Sequence, residues 1–219
     1  MKPVYFHGHP GAASEVQLAG LSASDFAAAD DTTSHVIGFS LGGPAALHFA
    51  AAHPKVTQLD LIACPAPLGP IIPAMAGKPV FRAARAGLLP TLTRVQALLL
   101  RTAPNLFLKS LFASAAVSEQ ALLTPDAKAI LAQSYKTALL TNRQHYLKRV
   151  TSFANPNARW PFDKITCAVT LWQGDADTWV PPTMADTLAS HLPQAKIKQL
   201  PDLGHYGTLI HALQQIMRN

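Results

Sequence analysis

The sequence predicts an α/β protein whose mostly parallel sheet is covered by helices on both faces and interrupted by a helical insertion. Two observations support this prediction. Apolar, β-branched segments typical of buried strands alternate with helical segments along most of the chain. A proline-rich opening then begins a long helical stretch between two of the predicted strands. With 219 residues, 49% of them hydrophobic, the chain can form one domain with a sizeable core.

Strands and helices alternate in the first third of the chain. Strands are predicted at residues 2–6, 35–39 and 58–64. A short helix near residues 14–19 and an alanine-rich helix over 44–53 lie between them, while residues 21–34 show no clear period. Pro44 fits the first helical turn, where no N–H donor is needed, and Pro54 ends the helix.

Residues 65–160 differ in character from the rest of the chain. The segment opens with prolines at positions 65, 67, 70, 73 and 79. Helices are predicted behind them at residues 80–88, 92–101, 106–116 and 126–153. We therefore expect residues 1–64 and 161–219 to form the core of the fold, with residues 65–160 as a helical cap inserted into it.

The alternation of strand and helix returns after residue 160. Strands are predicted at residues 165–172 and 196–200, and helices at 182–192 and 206–217. This order continues the pattern of the first third of the chain. It therefore favours one sheet built from both ends of the sequence.

The net charge of +6 is unevenly distributed. Between Cys64 and Trp160 there are twelve Lys or Arg residues and only two acids, Glu119 and Asp126, so this segment carries +10 and the remainder carries −4. The basic segment suggests an acidic partner, such as a carboxylate-bearing ester, an acyl group on an acidic carrier or an anionic lipid surface. A solvated basic face is the alternative. Nucleic-acid binding is disfavoured because the basic residues are spread singly.

No segment has the pattern of a membrane span or of a signal peptide. The most apolar stretch, residues 95–117, is interrupted by Arg101, Asn105 and Lys109. The amino terminus lacks the long apolar region and the small-residue cleavage site of a signal peptide. We therefore expect a soluble, cytoplasmic protein with no stable membrane insertion.

Cysteine and histidine spacing gives no support for a metal site. Cys64 and Cys167 lie in apolar, strand-like segments, which favours buried free thiols over a disulfide or a reactive thiol. No paired Cys-x-x-Cys spacing is present. His7 and His9 are close in sequence, but no carboxylate pair accompanies them. We therefore expect neither a metal nor an organic cofactor.

The strongest functional motif is GFSLG at residues 38–42, a Gly-x-Ser-x-Gly pattern between a predicted strand and a predicted helix. A serine in such a tight turn has strained backbone angles and an exposed side chain. Gly38 and Gly42 fit there because larger side chains would collide with the neighbouring elements. The helix also directs N–H groups and a positive dipole toward a developing oxyanion. This context predicts that Ser40 is a nucleophile rather than part of a glycine-rich turn.

A nucleophilic serine needs a base, and the base needs a carboxylate that orients it. Of the nine histidines, His205 is the best placed. We expect it in a loop between the last strand and the last helix, at the carboxyl edge of the sheet. Asp175 and Asp177 both follow a predicted strand at that edge, so either could orient the base.

Four motifs, HGHPG, GFSLGG, GDADTWVP and GHYG, occur in this order and together resemble the α/β-hydrolase superfamily over nearly the whole chain. The resemblance implies the α/β-hydrolase fold with a helical cap. It favours Asp177 over Asp175 as the orienting carboxylate. It also implies an oxyanion hole formed by the backbone N–H groups of Leu41 and His9.

The amino-terminal part is shorter than in that superfamily. Two strands that usually precede the first motif are absent, and only 33 residues separate His7 from Ser40, about half of the usual spacing. We therefore expect a minimal or truncated version of the fold. Within the first loop, His7 and Gly8 are expected to shape the backbone rather than to take part in catalysis.

The resemblance and the candidate residues predict a serine hydrolase that cleaves a carboxylic ester through a Ser-His-Asp acyl-enzyme mechanism. The apolar composition of the expected cap favours a small substrate with an apolar acyl or aryl group. Alternatives on the same three residues are thioester hydrolysis, carbon–carbon bond hydrolysis and acyl transfer. A non-catalytic binding protein that keeps the fold is the remaining alternative.

Overall fold

The computed structural model describes residues 2–218 and contains a five-stranded sheet in which every strand pairing is parallel. The strands are β1 (Val4–Phe6), β2 (His35–Phe39), β3 (Gln58–Ile62), β4 (Ala168–Gly174) and β5 (Ala195–Leu200). They lie side by side in the order in which they occur along the chain. Both ends of the chain therefore contribute to one sheet, and the predicted α/β class is confirmed.

Nine α-helices are present within the described range. They are α1 (Gly43–Ala52), α2 (Lys78–Arg85), α3 (Leu89–Thr102), α4 (Pro104–Leu111), α5 (Val117–Ala121), α6 (Pro125–Lys136), α7 (Arg143–Ala154), α8 (Thr183–His191) and α9 (His205–Ile216). Helix α1 packs against β1, β2 and β3, α9 packs against β3 and β4, and α8 packs against β4 and β5. The sheet is thus flanked by helices.

The register of the strands brings four loops to the same edge of the sheet. Phe6 pairs with Gly38, Phe39 with Ile62, and Gly174 with Leu200. Because the strands are parallel, their carboxyl ends meet at one edge. The loops after β1, β2, β4 and β5, which contain all four sequence motifs, therefore converge there.

Six helices, α2 to α7, lie between β3 and β4, in the segment predicted as a cap. The division into core and cap at residues 64 and 161 remains a prediction. In the part of the chain that the structure covers, no helix combines the length and the apolar character needed to cross a membrane.

One prediction for this segment was wrong, and one helix was missed. The single helix expected over residues 126–153 is divided into α6 and α7 by a π-helical turn, Thr137–Thr141. The hydroxyl of Thr137 donates to the carbonyl oxygen of Gln133, a side-chain bond that competes with the regular backbone pattern. The short helix α5 was not predicted.

The free edge of the sheet is partly covered by residues 21–34, the segment without a clear period. The backbone N–H of Ala27 donates to the carbonyl oxygen of Pro3 at 2.9 Å, and Ala27 forms a parallel bridge with Val4. This contact occupies a part of the edge that β1 would otherwise expose.

Candidate active site

Ser40 occupies the turn between β2 and α1. Its φ of 50° lies in the left-handed region, which is strained for a residue other than glycine. A Cβ atom on Gly38 would lie 2.6 Å from that of Ala46, and one on Gly42 would lie 2.5 Å from the carbonyl oxygen of His7. Glycine is therefore required on both sides of the serine, as the motif predicts.

Ser40 is less exposed than expected, with only 7% of the surface of the residue accessible. It lines a cavity that the segment between β3 and β4 helps to enclose. The turn thus directs Ser40 away from the sheet and into an enclosed space.

Asp177 and His205 form a buried hydrogen-bonded pair. The Nδ1 atom of His205 lies 2.7 Å from Oδ2 of Asp177, and both residues are 3% exposed. The Oδ1 atom of Asp177 accepts hydrogen bonds from the backbone N–H groups of Trp179 at 2.8 Å and Val180 at 2.9 Å. These bonds hold the carboxylate in one orientation.

Asp175, the alternative carboxylate, makes different contacts. Its Oδ1 accepts a hydrogen bond from the backbone N–H of Asp202 at 2.7 Å, and its own N–H donates to the carbonyl oxygen of Leu200 at 3.2 Å. Asp175 therefore ties the loop after β4 to the loop after β5, and the histidine pairs with Asp177.

His205 is the first residue of α9 rather than part of the expected loop. Because a carboxylate only accepts hydrogen bonds, Nδ1 carries the proton and Nε2 is left as an acceptor. The His205 ring lies 4.8 Å from the ring of Phe39, the residue directly before Ser40. Within residues 2–218 no hydrogen bond joins His205 to Ser40, and such bonds are often long before substrate binds. The structure nevertheless places the imidazole beside the serine turn.

The pKa of His205 is raised above its ordinary value as the net result of opposing effects. Burial lowers the pKa, but the charge of Asp177 and its hydrogen bond raise it, and the charges of Glu119 and Glu15 raise it further. The surrounding carboxylates therefore stabilise the imidazolium, the form that His205 reaches once Nε2 has accepted a proton.

Glu119 was noted in the sequence only for its charge, yet it is 3% exposed and bonded to the helix that carries His205. Its two carboxylate oxygens accept hydrogen bonds from the backbone N–H groups of Tyr206 at 2.6 Å and Gly207 at 3.1 Å. A carboxylate satisfies free N–H groups at a helix start and interacts favourably with the helix dipole. The only sequence signal was an acid in a strongly basic segment.

Glu15 was also missed, and its carboxylate binds the backbone of the first motif loop. Its Oε1 accepts hydrogen bonds from the backbone N–H of Gly8 at 2.7 Å and from the hydroxyl of Tyr5 at 2.8 Å. Burial raises the pKa of Glu15 to about 7, although both hydrogen bonds and the charge of His205 oppose the rise. The sequence gave no sign that Glu15 is buried, because an acidic residue in a short predicted helix is equally compatible with a surface position.

The first motif loop approaches Ser40 closely at Gly8. A Cβ atom there would lie 2.8 Å from the ring of Phe39 and 3.2 Å from the Cβ of Ser40. The Nδ1 atom of His7 lies 2.9 Å from the carbonyl oxygen of Gly8, a contact within the loop. Of the two residues that were predicted to shape this loop, Gly8 therefore lies next to Ser40 and His7 contacts the loop's own backbone.

A cavity of about 100 Å³ opens beside Ser40. The two predicted oxyanion residues, His9 and Leu41, line it together with Ser40. Most of the remaining lining is apolar and includes Met75, Val80, Phe81, Leu111, Val150 and Trp179. His205 is not among the lining residues, but its ring lies 5.3 Å from that of Trp179.

Neither cysteine takes part in the candidate active site. Cys64 and Cys167 are both buried and unpaired. Burial raises the pKa of the Cys64 thiol, which opposes thiolate chemistry. Across residues 2–218 no group of three or more His, Cys, Asp or Glu side chains is arranged to hold a metal ion.

The parallel sheet, the strained serine turn and the buried Asp–His pair define an α/β-hydrolase. The model of the alpha/beta hydrolase family matches residues 6–216, so the chain belongs to this family and is a hydrolase enzyme. No curated protein matches the chain.

Several solved structures share the fold at low sequence identity. A thermophilic esterase from Thermogutta terrifontis is 16% identical with a TM-score of 0.61, and the match covers 100% of this chain and 88% of the esterase. A serine hydrolase from Cycloclasticus zankles is 16% identical with a TM-score of 0.64, and the match covers 100% of this chain and 87% of that hydrolase. A bromoperoxidase from Bacillus anthracis is 13% identical with a TM-score of 0.64, and the match covers 99% of this chain and 90% of the bromoperoxidase.

Proposed function

We propose that the protein is a serine hydrolase that cleaves a small carboxylic ester through an acyl-enzyme intermediate, with Ser40 as nucleophile, His205 as base and Asp177 as the orienting acid. The hydrogen bond of 2.7 Å between His205 and Asp177 carries this proposal. It fixes the proton on Nδ1 and leaves Nε2 free to accept the proton of a serine hydroxyl.

In the proposed reaction, Nε2 of His205 takes the proton of Ser40 as the hydroxyl oxygen attacks the ester carbonyl. The imidazolium then returns the proton to the leaving alkoxide, and the acyl group stays on Ser40. Water repeats the sequence, which releases the carboxylic acid and restores the serine. Asp177 stabilises the imidazolium throughout and stays ionised.

The backbone N–H groups of Leu41 and His9 are proposed to bind the oxyanion. Both residues line the cavity together with Ser40. One such donor contributes about 2.7–4 kcal/mol to transition-state stabilisation in a well-studied serine protease. Neither donor requires a side chain, so substitutions of His9 should affect the substrate pocket more than the oxyanion.

The cavity supports an ester with an apolar acyl or aryl group, because most of the lining side chains are aliphatic or aromatic. No lysine or arginine of the described chain lines it. Any acidic partner of the basic segment, including a carrier or an anionic lipid surface, would therefore contact the protein outside the cavity. A soluble, cytoplasmic location belongs to this proposal as well.

Hydrolysis of p-nitrophenyl esters of increasing acyl length, with matched thioesters, tests the proposed reaction. We expect wild-type protein to hydrolyse short acyl esters and Ser40→Ala to lose at least a thousandfold in kcat. A carbon–carbon bond hydrolase would leave these esters largely intact, and a thioesterase would prefer the thioesters. Equal rates for wild type and Ser40→Ala would contradict the proposal.

A further inference from the structure

Two residues that line the cavity beside Ser40 have a polar side-chain atom without a hydrogen-bond partner. The Oε1 atom of Gln96 and the Nδ1 atom of His9 are both buried and unpartnered in the described structure. Tyr146, a residue 1% exposed, brings a hydroxyl-bearing side chain to the same lining. Buried polar groups are normally paired, so two unpartnered groups in one site indicate that a ligand completes them.

These three side chains belong to one site. Gln96 on α3, Tyr146 on α7 and His9 in the first motif loop all line the same cavity as Ser40. The rings of His9 and Tyr146 lie 6.3 Å apart. Polar residues therefore interrupt the mostly apolar lining of the cavity that also contains Ser40.

We propose that the cavity selects esters whose acyl or aryl group carries an uncharged hydroxyl, with Gln96 and Tyr146 as the residues that bind it. This inference rests on the proposed function and names its substrate class. A hydroxyl both donates and accepts, so it can pair with the Gln96 amide and with the Tyr146 hydroxyl at once. An unsubstituted alkyl group would leave these atoms unpaired.

The surroundings favour an uncharged group over a carboxylate. No lysine, arginine, aspartate or glutamate of the described chain lines the cavity. Burial, together with the charges of His7, His145 and Arg149, lowers the pKa of His9 to about 3. His9 is therefore neutral at pH 7 and offers no charge that would offset the desolvation of an anion.

Matched ester pairs test the inference. The first pair is p-nitrophenyl butanoate and p-nitrophenyl 3-hydroxybutanoate, and the second is p-nitrophenyl phenylacetate and p-nitrophenyl 4-hydroxyphenylacetate. In at least one pair we expect wild-type protein to prefer the hydroxylated ester by about tenfold in kcat/KM, the effect of one hydrogen bond. Gln96→Leu and Tyr146→Phe should each reduce that preference to about threefold or less.

Gln144→Leu is the matched control, because Gln144 is an exposed glutamine on α7 that does not line the cavity. It should keep the tenfold preference. A wild-type protein that favours the unsubstituted ester in both pairs, or a preference that survives in both Gln96→Leu and Tyr146→Phe, would overturn the inference.

Thermal stabilisation of Ser40→Ala by the same esters separates this inference from the proposed reaction. We expect the hydroxylated ester to raise Tm more than its unsubstituted partner, whether or not wild-type protein turns the esters over. Preferential binding without turnover would contradict ester hydrolysis and uphold the hydroxyl site. Equal shifts within both pairs would overturn the site even if the esters are hydrolysed.

Discussion

Glu119 on α5 accepts a hydrogen bond of 2.6 Å from the backbone N–H of Tyr206, the residue that follows His205. A carboxylate from the segment inserted between β3 and β4 thus binds the first turn of the helix that begins with the proposed base. Gly204 permits this approach, since a Cβ atom there would lie 2.5 Å from Oε2 of Glu119. The inserted segment and the proposed catalytic machinery are therefore physically connected.

Neutralising Glu119 should change the pH dependence of activity. The carboxylates facing His205 are Asp177, Glu119 and Glu15, and each raises the pKa of the imidazole against the effect of burial. Glu119→Gln should therefore lower this pKa and move the acidic limb of kcat/KM to lower pH. Asp126→Asn removes an exposed acid of the same segment and should leave the limb in place. An unchanged limb in Glu119→Gln would show that Glu119 has a structural role only.

Replacing Asp177 should cost far more activity than replacing Asp175. Asp177 uses Oδ1 for the backbone N–H groups of Trp179 and Val180 and Oδ2 for His205. Asp177→Asn keeps only one acceptor oxygen, so the proton on Nδ1 is no longer fixed, and kcat should fall by about 10⁴-fold, as for the equivalent change in a serine protease. Asp175→Asn keeps an oxygen that can accept from the backbone N–H of Asp202. Steady-state kinetics of both variants decides the assignment, and a larger loss in Asp175→Asn would reverse it.

An alanine at position 8 should impair catalysis more than folding. Its Cβ would press on the ring of Phe39 and on Ser40, at 2.8 and 3.2 Å, and displace the proposed nucleophile. We expect Gly8→Ala to lose about 100-fold or more in kcat/KM, because small misplacements of reacting groups have effects of this size. Gly69→Ala, where an added Cβ meets nothing within 4 Å, should retain full activity. Comparable activities in the two variants would rule out this effect.

Glu15 should make the stability of the protein fall as the pH rises from 4.5 to 7. Its carboxyl releases a proton near pH 4.5 in the unfolded chain but at about pH 7 when folded, where burial opposes ionisation. Between these values the folded state binds more protons, so the free energy of unfolding decreases with pH. At about 1.4 kcal/mol per pKa unit, the decrease is about 3 kcal/mol.

Denaturant unfolding of wild type and Glu15→Gln at several pH values measures this effect. The variant lacks the titrating group, so its free energy of unfolding should rise relative to wild type between pH 4.5 and 7 and then stay level. The other titratable groups that interact with Glu15 are present in both proteins and largely cancel in the difference; they are His205, Tyr5, Tyr135 and Tyr206. Parallel stability curves would contradict the expected ionisation.

Most of the sheet could be predicted from the sequence because four of its five strands, β1 to β4, are largely apolar local segments. The strand at residues 35–39 has the predicted bounds, and the serine motif directly follows it. Parallel pairing then brings the carboxyl ends of the strands to one edge, which explains why four distant motifs converge. Local patterns and one topological rule were sufficient here.

The environment of the candidate site could not be predicted in the same way. The bonds from Glu119 to α9 join residues 87 and 88 positions apart, and no local pattern specifies such a pairing. The burial of Glu15 likewise depends on packing between elements that are far apart in sequence. The π-helical turn at Thr137–Thr141 escaped prediction because its residues have ordinary helical propensity.

Covalent labelling with a fluorophosphonate probe tests the central claim most directly. The probe reacts with an activated serine, and mass spectrometry of the digested protein identifies the labelled residue. We predict one phosphonate per chain, located on Ser40, with no label in Ser40→Ala and strongly reduced labelling in His205→Ala. A folded wild-type protein that takes up no probe, or takes it up at a different residue, would contradict the account.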